Sequence, residues 1–263
     1  MAYEYITVEQ RGRVGIVTFN KPDRLNVFSD AMFADVRRAV EEFNQDPGVG
    51  AVVLTGSGRA FCAGADIRGW DRAIERREGG QQEERRREPE NWVHLIQRSK
   101  PIVCAINGLS IGVGLTMTLP CDVRVASDQA RLSMRFVRIG VLPELASTRL
   151  LVHIVGLTQA LELMLSGRII PAEEAGRIGL VSRVVPHDRL MDAAVGTASE
   201  IAFNPAESLA AIKRLVWENL TETELAEVWK REDREFAAAM ERPAFKEAVK
   251  AFLEKREPQF NRA

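Results

Sequence analysis

The sequence predicts an α/β fold whose last third is mainly helical. Three observations lead there: short Val- and Ile-rich runs alternate with amphipathic helical stretches in the first half; the pattern turns helical after about residue 157; and no repeat or low-complexity linker separates the two parts. Of 263 residues, 46% are hydrophobic and 28% charged, with 36 Lys+Arg against 37 Asp+Glu for a formal net charge of −1. A chain of this length buries roughly 70% or more of its unfolded surface, and the composition excludes intrinsic disorder. Balanced charge supplies no general field for nucleic acid or an anionic membrane, so an anionic ligand must be met by a local cluster. No apolar run reaches the roughly 18 residues a membrane-spanning helix needs. The first residues show neither signal-peptide nor transit-peptide layout, and a cytoplasmic location is the expectation.

Strands are predicted over 14–19, 51–55, 102–107 and 122–126, each a short β-branched run bounded by Gly, Pro, Asn or Ser. Between the first two, Ser29 is placed to cap a helix whose Phe33, Val36, Val40 and Phe43 recur on one face. Residues 68–99 depart from this pattern, with mixed charges at helical spacing and a Gly79-Gly80 pair; they read as a solvated surface insertion able to cover a site. Farther on, Thr158 is a candidate cap for a helix carrying Leu161 and Leu165, and Pro171 stands where a first helical residue is expected. A helix over 190–202 would present Met191, Val195, Ala198 and Ile201, and three more follow over 207–219, 223–240 and 243–254.

Cys62, Cys104 and Cys121 are odd in number and widely spaced, which favours reduced buried thiols over a disulfide or a zinc site. His94, His153 and His187 are scattered, and a structural or surface role is favoured for each. Two Gly-containing segments follow predicted strands: residues 58–67, with Ala63-Gly64-Ala65-Asp66-Ile67, and residues 107–116, with Gly112-Val113-Gly114-Leu115-Thr116. Small residues there let a ligand approach the main chain, and a helix starting just beyond would aim free N–H groups at an oxyanion. Each alone also reads as a plain strand-to-helix turn, and neither fits a Walker or Rossmann phosphate loop.

Taken together, Asn20-Lys21-Pro22-Asp23-Arg24-Leu25-Asn26, Ala60-Phe61-Cys62-Ala63-Gly64-Ala65-Asp66, Lys100-Pro101 through Asn107-Gly108, Cys121-Asp122, Ser166-Gly167-Arg168, Ala172-Glu173-Glu174-Ala175 with Gly179-Leu180-Val181, and Ala251-Phe252-Leu253-Glu254-Lys255-Arg256 resemble the enoyl-CoA hydratase/isomerase (crotonase) superfamily, in an order that covers essentially the whole chain. The resemblance implies a crotonase-like spiral of ββα units over residues 1–200, carrying the acyl-CoA site, and a helical trimerisation subdomain over 201–263. It also implies an acyl-coenzyme A thioester as ligand, a homotrimer or a dimer of trimers, and a place in fatty acid metabolism. No metal or separate cofactor is expected, coenzyme A being part of the substrate, and neither nucleic acid nor a membrane is expected as partner. By the same resemblance the N–H groups of Ala65 and Val113, beside Gly112, would hold the thioester oxygen, while Ala63, Asp66 and Ile67 would lie along the coenzyme. Arg24 would meet a phosphate or simply be an exposed turn arginine, and Asp66 also suits a helix cap.

The two glutamates of the family's hydratases correspond to Thr116 and Phe136, so the usual two-carboxylate hydration machinery is absent. A different carboxylate stands in Gly140-Val141-Leu142-Pro143-Glu144-Leu145-Ala146-Ser147, a pattern similar to the acid/base segment of a branch of 3-enoyl-CoA to 2-enoyl-CoA isomerases. Moving a double bond by one carbon needs one group that removes a proton and returns it, and apolar neighbours such as Phe136, Val137, Leu142 and Leu145 would raise its pKa toward a useful range. Glu144 also suits the first turn of a helix running through Leu150, Leu151 and Ile154. The expectation is an isomerase using Glu144; hydration or hydrolysis of a specialised acyl-CoA and non-catalytic acyl-CoA binding are the alternatives.

Overall fold

The computed structural model describes residues 3–78 and 91–260. Its elements run β1 (Ile6–Arg11), β2 (Val14–Phe19), α1 (Asp30–Gln45), β3 (Ala51–Gly56), β4 (Ala60–Cys62), α2 (Ile67–Glu78), α3 (Trp92–Arg98), β5 (Ile102–Ile106), β6 (Leu109–Ile111), α4 (Val113–Thr116), β7 (Val123–Ser127) and β8 (Arg131–Ser133). They continue with α5 (Ser147–Val155), α6 (Leu157–Ser166), β9 (Ile170–Pro171), α7 (Ala172–Arg177), β10 (Arg183–Val185), α8 (Leu190–Ala202), α9 (Ala206–Asn219), α10 (Leu225–Met240) and α11 (Pro243–Leu253).

Consecutive strands go to different sheets. The larger sheet has the order β1-β2-β3-β5-β7-β10 and the smaller β4-β6-β8-β9. Thus β3, β5 and β7 lie side by side and parallel in one sheet, while β4, β6 and β8, which follow them, do the same in the other. Each ββ pair climbs one step and the intervening helices return the chain, which is the predicted spiral of ββα units.

The period-two alternation of strands sorts their residues between two cores. Val53 on β3 and Val103 and Ala105 on β5 face Leu190, Ala194, Ala198 and Ala202 of α8. Val52 and Leu54, with Ile102, Cys104 and Ile106, face α1, α3 and the small sheet. Coverage on both sides explains why these strands read as unbroken apolar runs.

The four predicted strands are present within a residue at their ends, and Ser29 caps α1 by accepting the Met32 N–H. Strand β1 escaped the sequence reading because it is an edge strand with Ile6 as its single buried residue. Helix α6 starts at Leu157 behind Gly156, not at Thr158, and it buries Ala160 and Leu163 while Leu161 and Leu165 face outward. Pro171 is the cap of α7, one residue before its start. The face that α8 buries most deeply is offset from the predicted one, since Ala194 and Ala202 fit closer to the sheet than bulkier Val195 and Ile201. The proposed insertion divides: α2 is an amphipathic helix, whereas α3 belongs to the core, with Trp92, Leu95 and Ile96 buried and the Trp92 indole N–H donating to the Met117 carbonyl at 2.8 Å. The intervening charged run, residues 79–90, lies outside the described residues.

Candidate active site

The two Gly segments meet across the small sheet, where β4 and β6 pair in parallel. The first is pinned by the chain just before α1: Ala63 N–H donates to the Leu25 carbonyl, Phe28 N–H to Gly64 and Asp66 N–H to Phe28. Asn26 anchors that stretch from within, fully buried, accepting the Lys21 N–H and donating to the Ser57 and Ala60 carbonyls. The second segment is held where Gly112 N–H donates to Ser133 on β8, with Gly112 at φ +55°. After these bonds are made, neither the Ala65 N–H nor the Val113 N–H has a backbone acceptor among the described residues. Val113 is the first residue of α4, so its N–H points out of the helix end.

Both residues line one cavity of about 490 Å³ together with Glu144. Of the other residues assigned from sequence, Ala63, Ile67, Gly112 and Phe136 line it too, whereas Arg24 and Asp66 do not. Arg24 ends an exposed 3-10 turn, and Asp66 precedes α2, its carbonyl accepting the Trp70 N–H at 3.1 Å. Sequence reasoning missed Phe28 and Ile139, which with Trp70 make much of the wall apolar, and the charged Asp30 and Arg135. Their signal was weak because they come from separate stretches that only the spiral brings together.

Glu144 does not begin a helix. Leu145 and Ala146 follow it at φ +55° and +56°, and α5 starts only at Ser147. Two successive left-handed residues turn the chain sharply, so Glu144 projects beside the cavity rather than along α5. Desolvation by the surrounding protein raises the Glu144 pKa above the ordinary carboxylate value, and the nearby Thr116 hydroxyl opposes part of that rise. The result is a carboxyl group suited to taking up and returning a proton, in the same largely apolar cavity as two N–H groups without backbone acceptors.

Elsewhere, a larger groove of about 960 Å³ runs between α3 and the helices α9 and α10. Its cations are engaged: Lys213 with Asp122, Arg214 with Glu218 and Glu235, and Arg242 with Glu207 and Glu235. His94 borders this groove and not the Glu144 cavity. No group of three or more His, Cys, Asp or Glu suited to a metal occurs among the described residues.

The family model for enoyl-CoA hydratase/isomerase matches residues 9–263. The chain belongs to the enoyl-CoA hydratase/isomerase family. It is 34% identical to the mitochondrial enoyl-CoA hydratase of Pongo abelii, over 98% of this chain and 88% of that one. Among solved structures, an enoyl-CoA hydratase subunit from Geobacillus kaustophilus HTA426 superposes with a TM-score of 0.86 at 34% identity, covering 98% of each chain. An enoyl-CoA hydratase from Bacillus anthracis gives 0.85 at 29% identity, covering 98% and 99%. Of the two positions that the sequence matches to the hydratase glutamates, Phe136 is part of the cavity wall, whereas Thr116 is fully buried in α4 and does not line the cavity.

Proposed function

We propose that this protein is an acyl-CoA isomerase that moves a double bond from the 3- to the 2-position of an enoyl-CoA. What carries the reading is that Glu144 lines one cavity with Ala65 and Val113; the residues matched from sequence to the hydratase glutamates, Thr116 and Phe136, carry no carboxylate. The thioester oxygen would accept from the two N–H groups, and the Glu144 carboxylate would take a proton from the α carbon. Electrons then move onto the thioester oxygen as an enolate, the double bond shifts, and the carboxyl returns its proton to the γ carbon. A single oxyanion-hole donor is worth about 3 kcal/mol in such chemistry, because it binds charge that exists only beyond the ground state. Aromatic and aliphatic walls from Phe28, Trp70 and Ile139 suit a hydrocarbon acyl chain.

The names of the relatives favour a second reading, in which Glu144 orients water for hydration. Turnover in oxygen-18 water separates the two, since isomerisation leaves the product unlabelled and hydration labels it. Replacing Glu144→Gln is expected to reduce isomerisation of a 3-enoyl-CoA by at least about 10³-fold with acyl-CoA binding retained. Equal activity of the two proteins would overturn the assignment.

Coenzyme A enters as part of the substrate, with no further cofactor. The helices of residues 201–263 are read as a trimerisation subdomain, supported by Leu225, Trp229, Phe236 and Phe252, each at least 63% exposed. A trimer or a dimer of trimers is the expected mass by light scattering. Among the described residues no helix is long and apolar enough to cross a membrane; a cytoplasmic location is the reading that goes with this family's bacterial relatives.

A further inference from the structure

Among the described residues Arg135 is the one cation that lines the Glu144 cavity, and its guanidinium makes no ion pair or side-chain hydrogen bond there. The arginines around it are occupied: Arg131 donates to the Ala130 carbonyl at 2.9 Å, Arg138 to the Ser166 carbonyl at 2.8 Å, and Arg168 pairs with Glu162 and Glu174. Asp30 and Glu144 line the same cavity, yet Arg135 pairs with neither. Asp30 already serves the first turn of α1, where the helix dipole favours a carboxylate. No contact within the described fold uses the Arg135 charge.

The position of Arg135 puts that charge on the acyl side of the site. It opens a 3-10 turn, Arg135–Ile139, just after β8, whose Ser133 carbonyl holds the Gly112 N–H at 2.9 Å. The Val141 N–H donates to the Phe136 carbonyl at 3.2 Å, which folds the stretch carrying Glu144 back toward the start of the turn. Base and guanidinium therefore belong to one looped segment, and both reach the same cavity. The phosphates of coenzyme A, in contrast, are a whole pantetheine arm away from the thioester.

An acyl chain that fills this cavity takes water from the guanidinium. A hydrocarbon end gives nothing back, and a charge stripped of water without a partner is costly. A carboxylate end supplies two acceptors matched to the planar fork of arginine. We propose that Arg135 selects acyl-CoA substrates whose acyl chain ends in a carboxylate, binding that end while the Ala65 and Val113 N–H groups hold the thioester oxygen. The inference rests on the reading of the cavity as an acyl-CoA site with Glu144 as acid/base. The apolar walls then meet the middle of the chain and Arg135 meets its end.

The test pairs two thioesters that differ in a terminal methyl or carboxylate, 3-hexenoyl-CoA and the monothioester 3-hexenedioyl-CoA, with kcat/KM for double-bond migration as the readout. The dicarboxylic substrate is expected to be preferred at least about tenfold, and Arg135→Gln should remove most of that preference, with Arg135→Lys in between. A preference that Arg135→Gln leaves within about twofold of its original size would overturn the inference. Dissociation constants for the unreactive hexanoyl-CoA and hexanedioyl-CoA, measured by calorimetry, should show the same selectivity without chemistry. Selective binding of the dicarboxylic thioester with no double-bond migration in either substrate would remove the isomerase reading and keep Arg135 as selector. Migration with no preference between the substrates would leave the isomerase reading standing and overturn this one. The N-acetylcysteamine thioesters, which lack phosphates, separate the two sources of anionic oxygen. If Arg135→Gln weakens both coenzyme A ligands equally and leaves the cysteamine thioesters unaffected, Arg135 meets a coenzyme phosphate and the inference falls.

Discussion

The Lys213 ammonium on α9 lies 2.7 Å from a carboxylate oxygen of Asp122, and the same oxygen accepts the Ile102 N–H at 2.7 Å where β5 begins. With side chains 7% and 24% exposed, the pair sits largely out of water. It latches the first helix after residue 200 to the ends of two central strands. Removing one member of such a pair leaves the other uncompensated in a poor dielectric, which is more damaging than losing the pair as a whole. Lys213→Met should therefore lower stability by about 3 kcal/mol in urea unfolding, and adding Asp122→Asn should return part of the loss. A single-variant loss within about 0.5 kcal/mol would show that the latch contributes little beyond an exposed pair.

Gly112 and Gly114 flank Val113 yet should respond differently to alanine. A methyl on Gly114 would overlap the Cys62 carbonyl, which is backbone and cannot move aside without displacing β4. A methyl on Gly112 would find its nearest neighbour 3.9 Å away, at Phe136 Cζ, but it would have to hold φ +55° and ψ −121°, a region that disfavours a side chain. Gly114→Ala is expected to lose most folded protein. Gly112→Ala should fold with a loss of about 1–3 kcal/mol and lose kcat as the Val113 N–H turns. Circular dichroism melts alongside kinetics would check the contrast, and equal behaviour of the two variants would contradict it.

Much of this was readable in advance because the signals are local. Alternating Val and Ile runs marked the strands of the covered sheet, Ser29 marked the start of α1, and the two Gly segments marked the places where backbone N–H groups come free. What stayed hidden depends on tertiary context. Nothing in Leu145 or Ala146 announces left-handed backbone, so from sequence Glu144 also suits a helical first turn. The charges of residues 68–99 masked the buried Trp92, Leu95 and Ile96, because three buried positions in a short helix give little periodicity against many arginines and glutamates. Asn26 carries no special pattern in the sequence, yet its side chain stitches two separate loops beneath the site.

The three cysteines are free and buried. Desolvation pushes the Cys62 thiol up to about 12, and burial next to Cys104 raises Cys121 far above its usual range. The thiolate is the reactive form, so a native sample at pH 8 should show no rapidly reacting thiol toward a disulfide reagent, and three after denaturation. A fast-reacting equivalent in the native protein would mean that the core around β4 opens readily.

Glu144 links the site to stability. Its folded-state pKa lies above the ordinary value of 4.5, with desolvation as the largest cause. Below pH 4.5 the carboxyl is mostly protonated whether the chain is folded or unfolded, and its partial desolvation carries no ionic penalty. As the pH climbs past that value the unfolded chain ionises first, so the folded state loses stability until the pH exceeds the raised folded pKa, after which the loss is constant. Glutamine does not titrate and escapes the loss. Glu144→Gln should accordingly melt at a higher temperature than the unsubstituted protein near pH 7.5, with the gap closing toward pH 4, a trade of activity for stability common at catalytic positions. A gap of the same size at both ends of that range would mean that the effect comes from packing and not from the charge.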